Sequence, residues 1–272
     1  MNILIDIGAT NIRIAGSRDL ANFSDPAIFD TPQAYDEGLR MIVDAARTIA
    51  AGDKIEAVCA GVPTVLSRDK RKLLKATNIP LWDNHAFAED LEKALQTRVV
   101  LDNDTALVGL GEAIFGAGVG AEIVVYITIS TGVNGVRIVN GVVDPSAQGF
   151  EIGYLRVTVG DVAKEWGDLI SGSAIRERFG KAPRELGKDN PVWEDMARIA
   201  AVGVNTSIVF WSPDRVIIGG SMTNEIGISV DRIRALVEEN MKAYPKTPEI
   251  VHSKLGDLGG LWGGLARLKQ LT

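Results

Sequence analysis

Ile3, Leu4, Ile5 and Ile7, interrupted only by Asp6, predict a buried strand, and Ile12 to Ala15 predict its return after a Gly8-Ala9-Thr10-Asn11 turn. Leu39, Ile42, Val43, Ala46 and Ile49 recur at helical spacing between Gln33 and Ala51, and Gly52 marks the stop. Ile55 to Ala60 reads as a strand running into Gly61-Val62-Pro63. Asp83 or Asn84 is the expected cap of a helix through Leu95, and Val99 to Leu101 is a short strand before a helix from Thr105 to Phe115.

The pattern then restarts. Ile123 to Ile129 predicts a buried strand, Ser130 to Gly135 a turn, Val136 to Val139 a return strand, and Asn140-Gly141 a further turn. Helical spacing follows at Leu169 to Phe179, Trp193 to Trp211 and Ile228 to Met241. A strand over Arg215 to Ile218 ends in Gly219-Gly220-Ser221, and the glycine-rich tail from Leu258 to Leu271 reads as a helix. Each half thus opens with a hairpin whose turn holds Gly, Thr and Asn, followed by alternating strands and helices. That is the signature of a duplicated α/β architecture, with its division expected near Asp104 or Gly116.

Charge narrows the partners. Lys and Arg number 29 against 35 Asp and Glu, a net charge of −6, which argues against nucleic acid or an anionic membrane as partner. The single cysteine, Cys59, with only His85 and His252 beside it, offers no disulfide framework and no Cys/His zinc site. The start of the chain does not read as a signal peptide and no apolar run approaches membrane-spanning length, so a soluble, cytoplasmic protein is expected.

Three clusters carry candidate chemistry. A Gly/Thr turn between strands presents backbone N–H groups and a hydroxyl to phosphates, and an acid on the first strand can hold the accompanying magnesium. Asp6, Gly8, Thr10 and Asn11 fit that reading, and also fit an ordinary hairpin; Thr131 and Gly132 repeat the pattern. Asp102-Asn103-Asp104 fits helix capping, or a carboxylate general base at a strand end. Trp166, Trp193, Trp211 and Trp262 read as core or interface anchors, whereas Trp82, in a turn-rich stretch, could wall a sugar. His85 and His252 read as surface or helix-end residues.

Together these segments resemble the ROK family (repressors, open reading frames and sugar kinases) of the actin-like ATPase superfamily. Asp6-Ile-Gly8-Ala-Thr10 is similar to its first phosphate motif and Ser130-Thr131-Gly132-Val-Asn-Gly135 to its second. Thr77-Asn78-Ile-Pro-Leu-Trp82 resembles its sugar loop, and Asp102-Asn103-Asp104 with Gly109, Gly111 and Glu112 its catalytic strand end and helix. Glu151-Ile-Gly153 resembles its sugar Glu-x-Gly, and Ile218-Gly219-Gly220-Ser221 its nucleoside-binding strand end. Three departures stand out: Tyr154 occupies the place of a zinc-binding, sugar-facing histidine, the family's cysteine-rich zinc motif is missing, Val159 to Lys164 carrying no cysteine, and a second sugar glutamate falls at Gly167, with Glu165 and Asp168 as offset neighbours.

The resemblance implies a two-lobed actin-like ATPase (ribonuclease H-like) fold. Residues 1–104 with 256–272 would form one lobe and residues 105–255 the other. It implies ATP-dependent phosphorylation of a hexose 6-hydroxyl, glucose foremost, with an N-acetylhexosamine kinase or a catalytically weak sugar-binding regulator as alternatives. Asp104 would be the general base; Asn78, Asn103, Glu151 and Tyr154 would hold sugar. Asp6, Gly8, Thr10, Asn11, Thr131, Gly132, Gly219 and Gly220 would hold nucleotide, with Mg²⁺ on Asp6 directly or through water. Zinc is not expected, and a homodimer is. The first strand begins at Asn2 or Ile3, with no DNA-binding domain expected before it.

Overall fold

A computed structural model describes residues 1–224 and 227–271. Along the chain come β1 (Asn2–Ile7), β2 (Asn11–Ser17), β3 (Ala27–Asp30), α1 (Tyr35–Ala50), β4 (Ala57–Val62), β5 (Val65–Leu66) and β6 (Leu73–Lys75). Then follow α2 (Phe87–Leu95), β7 (Arg98–Asn103), α3 (Asp104–Phe115), β8 (Ile123–Ile129), β9 (Val133–Val139), β10 (Val142–Val143), β11 (Arg156–Val159) and β12 (Val162–Glu165). The rest is α4 (Trp166–Ile170), α5 (Gly172–Phe179), α6 (Val192–Trp211), β13 (Arg215–Gly219), α7 (Val230–Asn240), β14 (Glu249–His252) and α8 (Gly259–Lys269).

The chain divides into two units. Unit 1 is Met1–Ile114, Pro145–Gly149 and Asp257–Thr272; unit 2 is Phe115–Asp144 and Phe150–Gly256. The division falls at the end of α3, beside Gly116 of the two expected places rather than at Asp104, because Leu107 and Leu110 are fully buried and the backbone of α3 meets that of α8 inside unit 1.

Each unit is built on a five-stranded sheet of the same order, β3-β2-β1-β4-β7 in unit 1 and β10-β9-β8-β13-β14 in unit 2. In both, the first three strands are antiparallel and the last two run parallel to the central one. This is the duplicated ribonuclease H-like core of the actin-like ATPase fold. The hairpin β1–β2 keeps register from Ile7 opposite Ile12 to Asn2 opposite Ser17, so the four residues between form the expected turn. All of β1 is buried, which explains its near-continuous apolar run.

Several details depart from the sequence reading. Helix α2 starts at Phe87 with Ala86 as cap. Asp83 instead accepts a hydrogen bond from the Ala76 N–H at 2.6 Å, and Asn84 takes a left-handed φ of 64°. The expected Leu169–Phe179 helix is broken at Ser171, whose extended backbone ends α4 and whose hydroxyl caps α5 through the Ala174 N–H. Strand β9 begins at Val133, so the second phosphate-type turn is only Ser130–Gly132. The hairpin β11–β12 was not foreseen. His85 lies just before the start of α2, half-buried, and stacks on Tyr35 at 3.6 Å between ring centroids. Among the described residues, no helix is long and apolar enough to cross a membrane.

Trp82 is the clearest correction. It is fully buried and walls no sugar: its indole N–H donates to Pro32 O at 3.1 Å and its ring packs among Tyr35, Phe87 and the bare backbone of Gly38. A methyl group at residue 38 would overlap the indole. Gly38→Ala should therefore destabilise the protein by about 1–3 kcal/mol through overpacking. On an open helix face the same change would stabilise by up to about 1 kcal/mol. Urea denaturation reads the sign directly.

Candidate functional site

In unit 1, the C-terminal ends of β1, β4 and β7 lie side by side, the edge at which open α/β sheets take ligands. Asp6 closes β1 there and is 8% exposed. Its neighbours leave it room. Gly61 pairs with it from β4, and a methyl group on Gly61 would sit 3.7 Å from Asp6 Oδ1 and 3.4 Å from Asp104 Cα. Gly260 of α8 brings its Cα so close that a methyl group there would strike the Asp6 carboxylate. Asp6 and Asp104 thus flank one glycine-lined space.

Both acids resist ionisation. Burial pushes Asp6 up to about 7, helped by the negative charge of Asp104 and, more weakly, of Asp257, while Arg13 opposes the rise. Burial also raises Asp104, to about 6, against hydrogen bonds from the Thr105 N–H at 2.6 Å and the Thr105 hydroxyl at 3.3 Å. Those bonds favour its charged form.

The first turn is firmly shaped. The Gly8 N–H donates to Asn11 O at 2.9 Å, while Thr31 donates from its hydroxyl to Gly8 O at 2.8 Å and from its N–H to Thr10 O at 2.9 Å. Thr10 itself is exposed at the tip. Asn103 does serve as a cap: its Oδ1 accepts from the Ala106 N–H at 3.3 Å, and its amide donates to Thr64 O at 3.4 Å. Asn78 is exposed, just before the turn Pro80–Trp82.

In unit 2, the Ser130–Gly132 turn is closed by Ser130 N–H donating to Gly132 O at 2.8 Å, and its carbonyls take the first N–H groups of α5: Gly172 to Ser130 O at 2.7 Å, Ser173 to Thr131 O at 3.2 Å. Gly219 pairs with Thr128, and Gly220, at a φ of 97°, passes so close to Ile129 that only glycine fits. The predicted Thr131, Gly132, Gly219 and Gly220 therefore gather at one sheet edge. Beside Gly220 opens a cleft of 1120 Å³ lined by Ser221, Thr223, Asn224, Trp193, Arg232 and His252.

Glu151 and Tyr154 bracket a single helical turn, Ile152–Tyr154, held against β9 by the contact of Gly153 with Val133 O. Both are exposed, Tyr154 by 50%. Gly167 adjoins this turn, its missing methyl 3.4 Å from Gly153 O, so a glutamate here would reach the same neighbourhood. Glu165 instead pairs with Arg156 at 3.6 Å, and Asp168 is exposed.

Sequence reasoning passed over one cation. Arg13 lies directly opposite Asp6 in the β1–β2 register, pairs with Asp257 at 3.3 Å, and keeps its buried Nε without a partner among the described residues. The signal was available, because a four-residue turn after Ile7 sets Arg13 across from Asp6. Among the described residues, no three His, Cys, Asp or Glu cluster to hold a metal. A magnesium ion asks less, using one or two carboxylates with water and phosphate oxygens, which Asp6 fits.

Comparison with known proteins places these observations. The chain is 23% identical to a glucokinase of Streptomyces coelicolor over 304 residues, covering 97% of this chain and 96% of that one. It is 28% identical to a fructokinase of Zymomonas mobilis over 227 residues, covering 75% and 74%. Its fold matches the crystal structure of a ROK family glucokinase from Streptomyces griseus in complex with glucose and AMPPNP, with a TM-score of 0.84, 22% identity and 99% coverage of both chains. The sequence profile of the ROK family matches residues 2–270, nearly the whole chain, and the chain belongs to that family.

Proposed function

We propose that this protein phosphorylates the 6-hydroxyl of a hexose with ATP, glucose being the first substrate to test. The observation that carries the reading is Asp104: a carboxylate at the start of α3, beside Asp6, with its pKa raised to about 6. A base of that strength is charged at neutral pH and still accepts a proton readily. Relatives named glucokinase and fructokinase support a sugar as the acceptor.

In this reading Asp104 takes the proton of the 6-hydroxyl as its oxygen attacks the γ-phosphorus. Asn103, anchored at Thr64, and Asn78 orient ring hydroxyls, with Glu151 and Tyr154 in the same role on unit 2. The turn at Gly8, Thr10 and Asn11 and the turn at Thr131 and Gly132 receive phosphates. The cleft beside Gly219 and Gly220 receives the nucleoside. Mg²⁺ bound at Asp6, directly or through water, would neutralise phosphate charge, and Arg13 opposite adds a fixed positive charge. Phosphoryl transfer asks mainly for such positioning and charge. A cytoplasmic homodimer that binds neither nucleic acid nor membrane goes with this proposal. Gly167, where a second sugar carboxylate is missing, favours as second reading a weakly catalytic sugar-binding regulator.

An ADP-release assay with Mg-ATP across hexoses and N-acetylhexosamines separates the two readings, since no turnover with any sugar leaves only the regulator. Asp104→Asn should lower kcat by about 10²–10⁴-fold while preserving sugar affinity. A variant that turns over at the wild-type rate reduces Asp104 to a structural helix start.

Acidity should act on activity and stability with opposite signs. Asp6 and Asp104 hold protons more tightly folded, at about 7 and about 6, than at their ordinary 3.8. The stability they contribute is complete below 3.8 and is lost as pH rises through 6 to 7. Without nucleotide or Mg²⁺, the denaturation midpoint should climb from pH 8 to 5, and Asp6→Asn/Asp104→Asn should flatten that climb. The hexose kcat/KM should instead fall as pH drops through the Asp104 value. A rise and fall in parallel would contradict the assignment.

With Gly167 and Tyr154 at the sugar turn, weak affinity and broad tolerance at C1 and C2 are expected, since each charge-assisted hydrogen bond is worth roughly 1.5–3 kcal/mol. Glucose, mannose, 2-deoxyglucose and 1,5-anhydroglucitol should turn over comparably and 6-deoxyglucose not at all. A sharp preference for one C2 configuration, with failure of 1,5-anhydroglucitol, would show the selectivity intact.

A further inference from the structure

Asp102 has no part in the chemistry proposed above, yet it is among the most enclosed charges of unit 1, 3% exposed at the end of β7. A carboxylate taken out of water needs partners for both oxygens. Lys70 Nζ donates to Oδ1 and to Oδ2, each at 2.8 Å. The Asn103 N–H donates to Oδ1 at 3.0 Å, and Arg267 Nε approaches Oδ2 at 3.9 Å from α8. The carboxylate is therefore fixed on several sides, one residue before Asn103 and two before Asp104.

Lys70 is itself held. It sits in the β5–β6 loop at a φ of 55°, an uncommon conformation for a side-chain-bearing residue, with its N–H donating to Ser67 O at 2.7 Å. Ser67 Oγ accepts from the Arg71 and Lys72 N–H groups, and Arg71 pairs with Glu92 on α2. Past this loop, Leu73 donates to His85 O at 3.0 Å and Ala76 to Asp83 Oδ1 at 2.6 Å, and Asn78 follows two residues on. At the other end of the hairpin, Thr64 O receives the Asn103 amide. The segment from residue 64 to 78 thus grips the end of β7 through Thr64 and Lys70. Strand β7 needs that grip, because it is paired only with β4 and its other edge carries no strand among the described residues.

We infer that the Lys70–Asp102 ion pair is a positioning device, tying the Asn103–Asp104 end of β7 to the loop that carries Asn78. The inference rests on the kinase reading for Asn103, Asp104 and Asn78, and goes beyond it by giving Lys70 and Asp102 a role in sugar placement. An apolar pair could fill this volume equally well for stability. The ion pair adds a fixed lateral position for the strand end, and small misplacements of reacting groups cost up to about 10²-fold in rate.

The test compares wild type, Lys70→Met, Lys70→Arg, Asp102→Asn and the Lys70→Met/Asp102→Asn double variant for hexose kcat/KM, KM for ATP and melting temperature. Lys70→Met should lower hexose kcat/KM by about 10–100-fold with the KM for ATP unchanged. Lys70→Arg should retain most of the activity, and the double variant should be no worse than Lys70→Met, since both lack the pair. Should Lys70→Met fail to fold, the charge-neutral double variant carries the comparison. Folded variants with lower melting temperatures but wild-type hexose kcat/KM overturn the inference. Wild type without turnover on any hexose overturns the kinase reading instead; glucose calorimetry then decides, weaker binding by the double variant supporting the positioning role and equal binding, or none by wild type, overturning it.

Discussion

Placing two carboxylates, Asp6 buried and Asp104 half-buried, at one sheet edge is the constraint around which unit 1 is arranged. Burial raises the cost of ionising both acids, and the charge of Asp104 raises that of Asp6 further, so the fold carries an electrostatic strain that an ordinary core would avoid. Its neighbours answer that strain unevenly. Thr105 stabilises charge on Asp104 through two hydrogen bonds, whereas Asp6 has Arg13 opposite and Asp257 close behind. Both acids are held above the ordinary carboxylate range, Asp104 against the two hydrogen bonds from Thr105.

The duplicated architecture was readable because it rests on strong local signals. Asp6-Ile-Gly8-Ala-Thr10-Asn11 and Ser130-Thr131-Gly132 interrupt runs of β-branched residues that no helix would favour, and both lie at hairpins in the structure. The Asp102-Asn103-Asp104 string lies where strand gives way to helix. The capping reading holds for Asn103, which caps α3 through the Ala106 N–H.

What escaped depends on tertiary contacts. Trp82 lies among Pro and Asn, the company of a surface turn, but Gly38 on α1 leaves a slot in the core that only the folded unit reveals. Likewise Ser171 sits amid helical spacing, yet the carbonyls of Ser130 and Thr131 claim the N–H groups that follow it and force a new helix start. Lys70 and Asp102 are far apart in sequence and neither lies in a periodic pattern. Their pairing needs the β5–β6 hairpin, whose strands are too short to announce themselves. Arg13 is the exception, since hairpin register alone would have found it.

Helix α8 shows how propensity yields to packing. It begins Gly259-Gly260-Leu261-Trp262-Gly263-Gly264, where each helical glycine costs roughly 1 kcal/mol relative to alanine. No isolated peptide of this composition would hold a helix. In the folded unit, three of the four glycines sit against α3 or β1: Gly259 against Val108, Gly263 against the Leu107 backbone of α3, and Gly260 against the Asp6 carboxylate of β1. Side chains at these positions would drive α8 away from the sheet and open Asp6 to water. Solvent would then relax the burial that raises its pKa. The weak helix is thus the means by which the sheet edge stays dry, and its stability comes from packing rather than from its own sequence.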